Sequence, residues 1–132
     1  MPKYFYDHVH LIASDPTKAA EFYEKAFGAK RVNLTTHADG ATVIILSLPG
    51  TKILIRSPQN GEMRNPLDSP QKYFGLEHFG IMTDNLDETA KNLKTMGVRF
   101  VQEVTRFPEL SIAYVMAPDN VLVEIMERKE NR

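Results

Sequence analysis

The sequence predicts an α+β fold built from two tandem βαβββ modules. Signals for strands and helices occur twice in the order βαβββ, and short motifs recur at nearly constant spacing. Asp7-His8-Val9 matches Glu77-His78-Phe79 at a spacing of 70 residues, and Gly28 matches Gly97 at a spacing of 69. We expect a single domain over residues 1–132, a first module at 4–56, a linker or lid at 57–74 and a second module at 75–127.

The first module begins with a predicted strand at residues 4–12. Asp15 and Pro16 then predict the start of a helix, because Asp is a favoured N-cap and Pro a favoured first helical residue, and Gly28 predicts its end. Five apolar residues recur at helical spacing and give this helix one apolar face: Ala19, Phe22, Tyr23, Ala26 and Phe27. Three strands follow at residues 30–36, 41–48 and 51–56, with turn signals at 38–40 and 49–50.

The second module repeats this order. A strand at residues 76–83 precedes Asn85, a predicted N-cap whose capping-box partner is Glu88, and Gly97 predicts the end of the helix. The apolar face of this helix consists of Leu86, Ala90, Leu93 and Met96. Strands are expected at residues 98–105, 109–116 and 121–127.

The composition limits the classes of function. Cysteine is absent, which excludes disulfides, thiolate ligands and cysteine nucleophiles, so any metal must be bound by histidine and carboxylate. Sixteen Lys and Arg oppose seventeen Asp and Glu, a balance that predicts no nucleic-acid partner. No stretch nears the roughly 20 apolar residues that span a bilayer, and the N-terminus lacks an apolar signal core, so we expect a cytoplasmic protein with no membrane partner.

Alternation along the strands predicts which face of the sheet carries the chemistry, because alternate residues of a strand share a face. Odd positions in the first and last strands of each module are apolar and suit packing under the helices: Val9, Leu11, Ile53, Ile55, Phe79, Ile81, Val123 and Ile125. Even positions are mixed and include His8, His10, Arg56, His78 and Glu124. We expect this second face to line a concave cavity.

His8, His78 and Glu124 are the predicted metal ligands. The duplication places the two histidines at equivalent positions, and all three residues share the polar face. Two imidazoles and one carboxylate suit Fe(II), Mn, Co, Ni or Zn, and three protein ligands leave positions open for water or substrate. The competing interpretation is a pair of ordinary strand histidines, with Glu124 paired to Arg56.

These motifs resemble the glyoxalase, bleomycin-resistance and extradiol-dioxygenase superfamily, also called the vicinal oxygen chelate proteins. The resemblance covers about residues 4–127, and the residues that carry it are Asp7-His8-Val9-His10-Leu11, the helix from Asp15 to Gly28 with Phe22-Tyr23, Glu77-His78-Phe79-Gly80-Ile81, and Pro118-Asp119-Asn120-Val121-Leu122-Val123-Glu124. It implies an open, cup-shaped mixed sheet around a metal, with His8, His78 and Glu124 at the ligand positions. It also implies reactions in which adjacent substrate oxygens chelate that metal.

Two positions depart from the family pattern. Glyoxalase I and methylmalonyl-CoA epimerase usually have a fourth ligand, Glu or Gln, in the last strand of the first module, where this chain has Leu54, 70 residues before Glu124. This departure argues against a four-ligand glyoxalase I centre. Ala117-Pro118-Asp119-Asn120 replaces the frequent Asp-Pro-Asp-Gly, a smaller change because Asn tolerates the left-handed conformation that Gly supplies.

Two functional hypotheses follow. The first is a metal-dependent enzyme acting on a small oxygenated substrate, either a lyase or isomerase of glyoxalase or epimerase type or a dioxygenase, with Glu124 and His10 as catalytic residues. Arg56 and Tyr114 are candidate substrate-binding residues, although a solvated arginine and a core tyrosine are the more ordinary interpretations. The second is a metal-free, ligand-sequestering protein of the bleomycin-resistance type, which Leu54 favours. In both cases we expect a homodimer.

Overall fold

The structure is a computed structural model that describes residues 1–67 and 74–129. It divides into two compact units, Met1–Asn65 and Pro66–Arg132. The described residues of each unit form one α-helix and one four-stranded sheet, and the second unit adds a short 3-10 helix at Pro118–Asn120. In the part of the chain described, no helix is long and apolar enough to cross a membrane.

The first unit has the predicted βαβββ order. Its elements are β1 (His8–Ile12), α1 (Pro16–Phe27), β2 (Lys30–Thr36), β3 (Thr42–Leu48) and β4 (Thr51–Arg56). The strands form an open sheet in the order β1-β4-β3-β2, in which β1 and β4 are parallel and the other pairs are antiparallel. The Asp15 side chain accepts a hydrogen bond from the Lys18 N–H at 3.1 Å, and Gly28 ends the helix at a φ of 71°. Both predicted ends of α1 are therefore confirmed.

The second unit repeats this topology. Its elements are β5 (Phe79–Met82), α2 (Leu86–Thr95), β6 (Phe100–Arg106), β7 (Leu110–Ala117) and β8 (Val121–Arg128). The strand order is β5-β8-β7-β6, and the parallel pair is β5 with β8. Asn85 caps α2 by accepting from the Glu88 N–H at 3.0 Å, while Glu88 accepts from the Asn85 side-chain amide at 3.3 Å. The duplicated α+β architecture is confirmed.

The core of each unit lies between its helix and its sheet. Helix α1 contacts β2, β3 and β4, and α2 contacts β6, β7 and β8. Ile53, Ile55, Val123 and Ile125 are at most 1% exposed, as their odd positions predict. The even positions beside them, including Leu54 and Glu124, are only partly buried. Strand parity therefore separates the packed face from the face that carries the polar side chains.

The first strand is shorter than predicted. β1 begins at His8, whereas Tyr4, Phe5 and Tyr6 are 87%, 84% and 69% exposed. The reason is the length of the partner strand: β4 begins at Thr51, and its ladder with β1 starts at the pair His8 and Lys52. The residues before Asp7 have no β4 residue opposite them.

The start of the predicted linker or lid packs on the first unit. The Ser57 N–H donates to the Thr42 carbonyl at 2.9 Å, and the Ser57 hydroxyl accepts from the Thr42 N–H at 2.8 Å. The Asn60 N–H donates to the Asp39 carbonyl at 3.0 Å, so this segment continues past β4 along the β2–β3 hairpin. Residues 68–73 of the predicted linker lie outside the described residues.

The turn before β8 has the left-handed conformation expected of it. Asp119 and Asn120 have φ values of 63° and 59°, although neither is glycine. The Asn120 side-chain amide also donates to the Leu67 carbonyl at 3.0 Å. Because Asp and Asn tolerate this region of φ, the turn needs no glycine. It leads directly into β8, the strand that carries Glu124.

Candidate metal centre

In the second unit the structure brings together His78 and Glu124. His78 immediately precedes β5, and Glu124 lies on β8, which pairs with β5 in parallel. The His78 Nε2 atom lies 3.2 Å from Glu124 Oε1, and the two side chains are 24% and 16% exposed. This contact joins residues 46 positions apart in the sequence and brings together two of the three predicted ligands.

The other ring nitrogen of His78 is held by a residue that the sequence analysis did not select. His78 Nδ1 lies 2.9 Å from the Glu77 carboxylate. A carboxylate accepts hydrogen bonds, so Nδ1 is the donor in this contact when it carries the ring proton. The sequence does contain a signal for the interaction, since an acidic residue precedes the repeated histidine in both modules.

Tyr114 borders the same pair. It is the register partner of Glu124 on β7, and its ring meets the His78 ring edge-on with centroids 5.2 Å apart. Burial raises the pKa of the Tyr114 phenol, and the negative charges of Glu124 and Glu77 and a hydrogen bond with Glu124 raise it further. The phenol therefore stays protonated at neutral pH and serves as a hydrogen-bond donor on this face.

The equivalent position in the first unit is occupied by His8. His8 Nδ1 lies 2.7 Å from Asp7 Oδ2, which repeats the contact between His78 and Glu77. The hydrogen bond with His8 lowers the pKa of Asp7, and the Lys52 ammonium lowers it further. Asp7 is therefore ionised at neutral pH and remains an acceptor for the His8 ring.

His10 lies beside His8 on the same face. Their ring centroids are 6.2 Å apart. Burial lowers the pKa of His10, and the positive charges of Arg56 and His8 lower it further. The register partner of His10 on β4 is Leu54, just as Gly80 is paired with Glu124 in the second unit. Leu54 thus stands at the place that the carboxylate occupies in the repeat.

Arg56 is engaged by a partner that the sequence analysis missed. Its Nη1 donates to Glu62 Oε1 at 3.1 Å and to the Ser57 carbonyl at 3.1 Å, and the Arg56 and Glu62 side chains are each 19% exposed. The Gln59 N–H and Arg64 also donate to the Glu62 carboxylate. These donors lower the pKa of Glu62 to about 2, with the backbone hydrogen bond from Gln59 as the largest cause and Arg56 second.

The geometry of the pair in the second unit fits metal coordination. Two ligand atoms about 2.0–2.2 Å from one metal, at tetrahedral or octahedral angles, lie about 2.8–3.6 Å apart, and the distance from His78 Nε2 to Glu124 Oε1 is 3.2 Å. Histidine nitrogen and carboxylate oxygen are both donors for the divalent metals that the sequence predicts. Within residues 1–67 and 74–129, no three His, Cys, Asp or Glu side chains form a group able to hold a metal ion.

The fold and these side chains define a duplicated βαβββ protein with a histidine–carboxylate pair on the polar face of its second sheet. Comparison with known proteins identifies its family. The sequence model of the Glyoxalase/Bleomycin resistance protein/Dioxygenase superfamily matches residues 6–125. The chain belongs to this superfamily, which confirms the resemblance found in the sequence.

Individual relatives agree with this membership. The chain is 31% identical to human mitochondrial methylmalonyl-CoA epimerase over 74% of its own length and 56% of the relative. It is 26% identical to lactoylglutathione lyase of Schizosaccharomyces pombe over 94% of its own length and 45% of the relative. The chain therefore spans about half the length of these curated relatives.

A solved structure shows the same fold. The genomically encoded fosfomycin resistance protein of Listeria monocytogenes, crystallised with Mn(II) and sulfate, superposes with a TM-score of 0.72 at 18% identity. The match covers 99% of this chain and 97% of the Listeria chain. This chain and the Listeria protein thus share one fold over almost the full length of both chains.

Proposed function

We propose that this protein is a metal-dependent vicinal-oxygen-chelate enzyme that acts on a small oxygenated substrate, with His8, His78 and Glu124 as the metal ligands. The observation that carries the proposal is the His78–Glu124 pair, whose Nε2 and Oε1 atoms lie 3.2 Å apart on the polar face of the second sheet. The repeat supplies His8 as the third ligand, with the same carboxylate contact at Nδ1. The Listeria structure supports the proposal because it shows that this fold accommodates Mn(II).

The residues around the pair have separate roles in the proposed reaction. A divalent metal at this centre would supply Lewis-acid chemistry toward adjacent substrate oxygens. Tyr114, kept protonated, donates a hydrogen bond to substrate only after release of its hydrogen bond with Glu124, whose face it shares. His10, beside His8, is positioned to transfer a proton, and we assign Glu124 a catalytic role in addition to ligation.

The ligand count distinguishes this centre from the four-ligand centres usual in glyoxalase I and methylmalonyl-CoA epimerase. Leu54 removes the carboxylate that a fourth ligand would supply, so the centre has one acidic ligand. We propose lyase or isomerase chemistry related to that of glyoxalases and epimerases but carried out from three ligands, with dioxygenation as the alternative if iron is retained. Arg56 binds an anionic substrate group only after release from Glu62, which holds it at 3.1 Å.

Metal analysis of purified protein tests the proposal. Wild type should retain stoichiometric metal after incubation with Fe(II), Mn, Co, Ni or Zn and removal of excess, whereas His8→Ala, His78→Ala and Glu124→Ala should not. His37→Ala, which removes an exposed histidine outside the candidate centre, is the matched control and should bind like wild type. Absence of bound metal in wild type would refute the enzyme proposal. If wild type retains iron, oxygen consumption by the iron-loaded protein with catechols distinguishes a dioxygenase from a lyase or isomerase.

A metal-free ligand-sequestering protein is the second candidate, and Leu54 is the observation that favours it. An apolar side chain at this position enlarges the apolar part of the face at the cost of a ligand. Two results together would support this second candidate. Protein treated with chelator would still retain small ligands, and it would bind no metal when incubated with metal again. We also propose a homodimer, which light scattering coupled to size-exclusion chromatography tests, since the chain alone has a mass of 15.0 kDa.

A further inference from the structure

Arg56 lies on the polar face of the first sheet and is paired with a carboxylate of its own chain. As an even position of β4 it shares this face with Leu54, the register partner of His10. Its Nη1 donates to Glu62 Oε1 at 3.1 Å, and both side chains are 19% exposed. Within the described residues, Glu62 is the only carboxylate that forms an ion pair with Arg56. A guanidinium matches a carboxylate in shape and charge, so Arg56 is a carboxylate-binding group that Glu62 already occupies.

Glu62 has a second guanidinium partner. The Arg64 Nε donates to Glu62 Oε2 at 2.6 Å, and its Nη2 lies 2.5 Å from the same oxygen. The other oxygen, Oε1, accepts from Arg56 and from the Gln59 N–H. The Arg64 side chain is 51% exposed, against 19% for that of Arg56. A Glu62 side chain that leaves Arg56 therefore keeps a cationic partner near the solvent, which lowers the cost of release.

The segment that carries Glu62, residues 57–62, is anchored by bonds that do not involve its carboxylate. Ser57 forms two hydrogen bonds with β3, at 2.9 and 2.8 Å, and the Asn60 N–H donates to a carbonyl of the β2–β3 turn at 3.0 Å. A Cβ atom added to Gly40 would collide with the Asn60 side chain, so this side chain packs closely over the turn. The anchors keep Glu62 beside the guanidinium at a high effective concentration, even when the ion pair is open.

We propose that Glu62 is an internal competitor at a carboxylate-binding site, and that a small carboxylate ligand binds Arg56 by displacing Glu62, which then stays paired with Arg64. The exchange replaces one carboxylate on the guanidinium with another, so neither arginine loses its counterion. This inference rests on the proposed function for the choice of Arg56 as a substrate-binding residue. Binding of a carboxylate at Arg56 itself requires no metal, and every residue involved belongs to the first unit.

The experiment titrates acetate into chelator-treated protein at constant ionic strength, with acetamide as a neutral ligand of similar shape. Binding is followed by ¹H–¹⁵N NMR of the Arg56 Nε–H and of the backbone amides of residues 57–62. Glu62→Gln removes the competing charge, and Glu62→Asp keeps the charge but shortens the side chain. Glu21→Gln, on the exposed surface of α1, changes the net charge as Glu62→Gln does and is the matched control.

We expect Glu62→Gln to bind acetate about fivefold more tightly than wild type, which corresponds to the loss of a partly exposed ion pair. Glu62→Asp should have an intermediate affinity, Glu21→Gln should bind like wild type, and acetamide should not bind. Arg64→Gln should weaken acetate binding in the wild-type background but not in the Glu62→Gln background. The reason is that Arg64 assists the ligand only by holding the released Glu62.

Two results would refute the inference. The first is that Glu62→Gln and Glu62→Asp, folded by circular dichroism, bind acetate no more tightly than wild type. The second is that Arg56→Gln leaves acetate binding by the Glu62→Gln protein unchanged, which would place the ligand elsewhere. Metal analysis tests the proposed function separately. Tighter acetate binding by Glu62→Gln in a protein that retains no metal would support the carboxylate site and refute the metal-dependent enzyme.

Discussion

Replacement of Glu124 by leucine should separate what this residue does for the metal from what it does for the fold. The repeat itself supplies the precedent, because Leu54 occupies the equivalent place on β4. If Glu124 is a ligand, Glu124→Leu removes one of three protein donors and should weaken metal binding by more than the roughly 100-fold upper limit typical of an indirect partner. The metal-free protein should remain folded.

The stability change can be worked from the contacts of the side chain. Glu124 is 16% exposed, and its carboxylate contacts His78, which keeps its contact with Glu77 when Glu124 is removed, and hydrogen-bonds the Tyr114 phenol. Loss of these two contacts costs about 1–3 kcal/mol, whereas partial burial of a leucine side chain returns about 1–2 kcal/mol. The free energy of unfolding should therefore fall by no more than about 2 kcal/mol, or about 6–10 °C in Tm.

A second glutamate on the same strand is the matched control. Glu127 lies on the opposite face of β8, and its Oε1 atom accepts from the Leu86 N–H at the start of α2 at 2.7 Å. Glu127→Leu should destabilise the protein by about 0.5–2 kcal/mol, as loss of a helix cap does, and leave metal affinity unchanged. Urea denaturation after chelation and a Zn(II) competition titration measure the two quantities. Strong destabilisation by Glu124→Leu, or unchanged metal affinity, would show that Glu124 is a structural residue.

Three further predictions concern stability. The pKa of Glu62 is lowered from 4.5 to about 2, so its contribution to folding stability is complete above about pH 4.5 and is lost as the pH falls toward 2. Glu62→Gln should therefore reduce the pH dependence of stability between these two values, as measured by acid denaturation followed by circular dichroism. Ile125→Ala should cost about 2–5 kcal/mol in urea denaturation, because this side chain is 0% exposed; a cost below about 1 kcal/mol would contradict its place in the core. Gly28→Ala and Gly97→Ala should each cost about 1–2 kcal/mol through strain alone, since φ is 71° and 78° and no neighbour lies within 4 Å of either Cβ position; thermal unfolding with no loss of Tm would refute this.

The sequence predicts the fold well because the relevant signals are local. The N-caps Asp15 and Asn85 and the terminator Gly28 act within one helical turn of their own positions, and all three have the predicted role. Strand parity is also local, since the side-chain direction alternates with every residue. Ile53 and Ile125 are therefore buried as predicted. The duplication also allows equivalent residues of the two modules to be compared, such as His8 with His78, and this comparison needs no knowledge of packing.

The candidate centre was only partly accessible from the sequence. Repeat spacing and parity selected His78 and Glu124, and the structure places them 3.2 Å apart. The pairing of Arg56 with Glu62 was missed, because it depends on how the segment after β4 folds back along the hairpin. The motif Glu77-His78 was visible, yet which ring nitrogen the carboxylate reaches depends on a side-chain rotamer.

The sequence by itself determined the order of the elements, their caps, the buried face of each sheet and the residues able to bind a metal. The tertiary structure decided the partners of the charged groups: Glu124 with His78, Glu127 with the N-terminus of α2, and Glu62 with Arg56. The physical reason is that a charged side chain on a strand has several oppositely charged or hydrogen-bonding groups at similar sequence distance. Strand register and loop path determine which of these groups lies within reach.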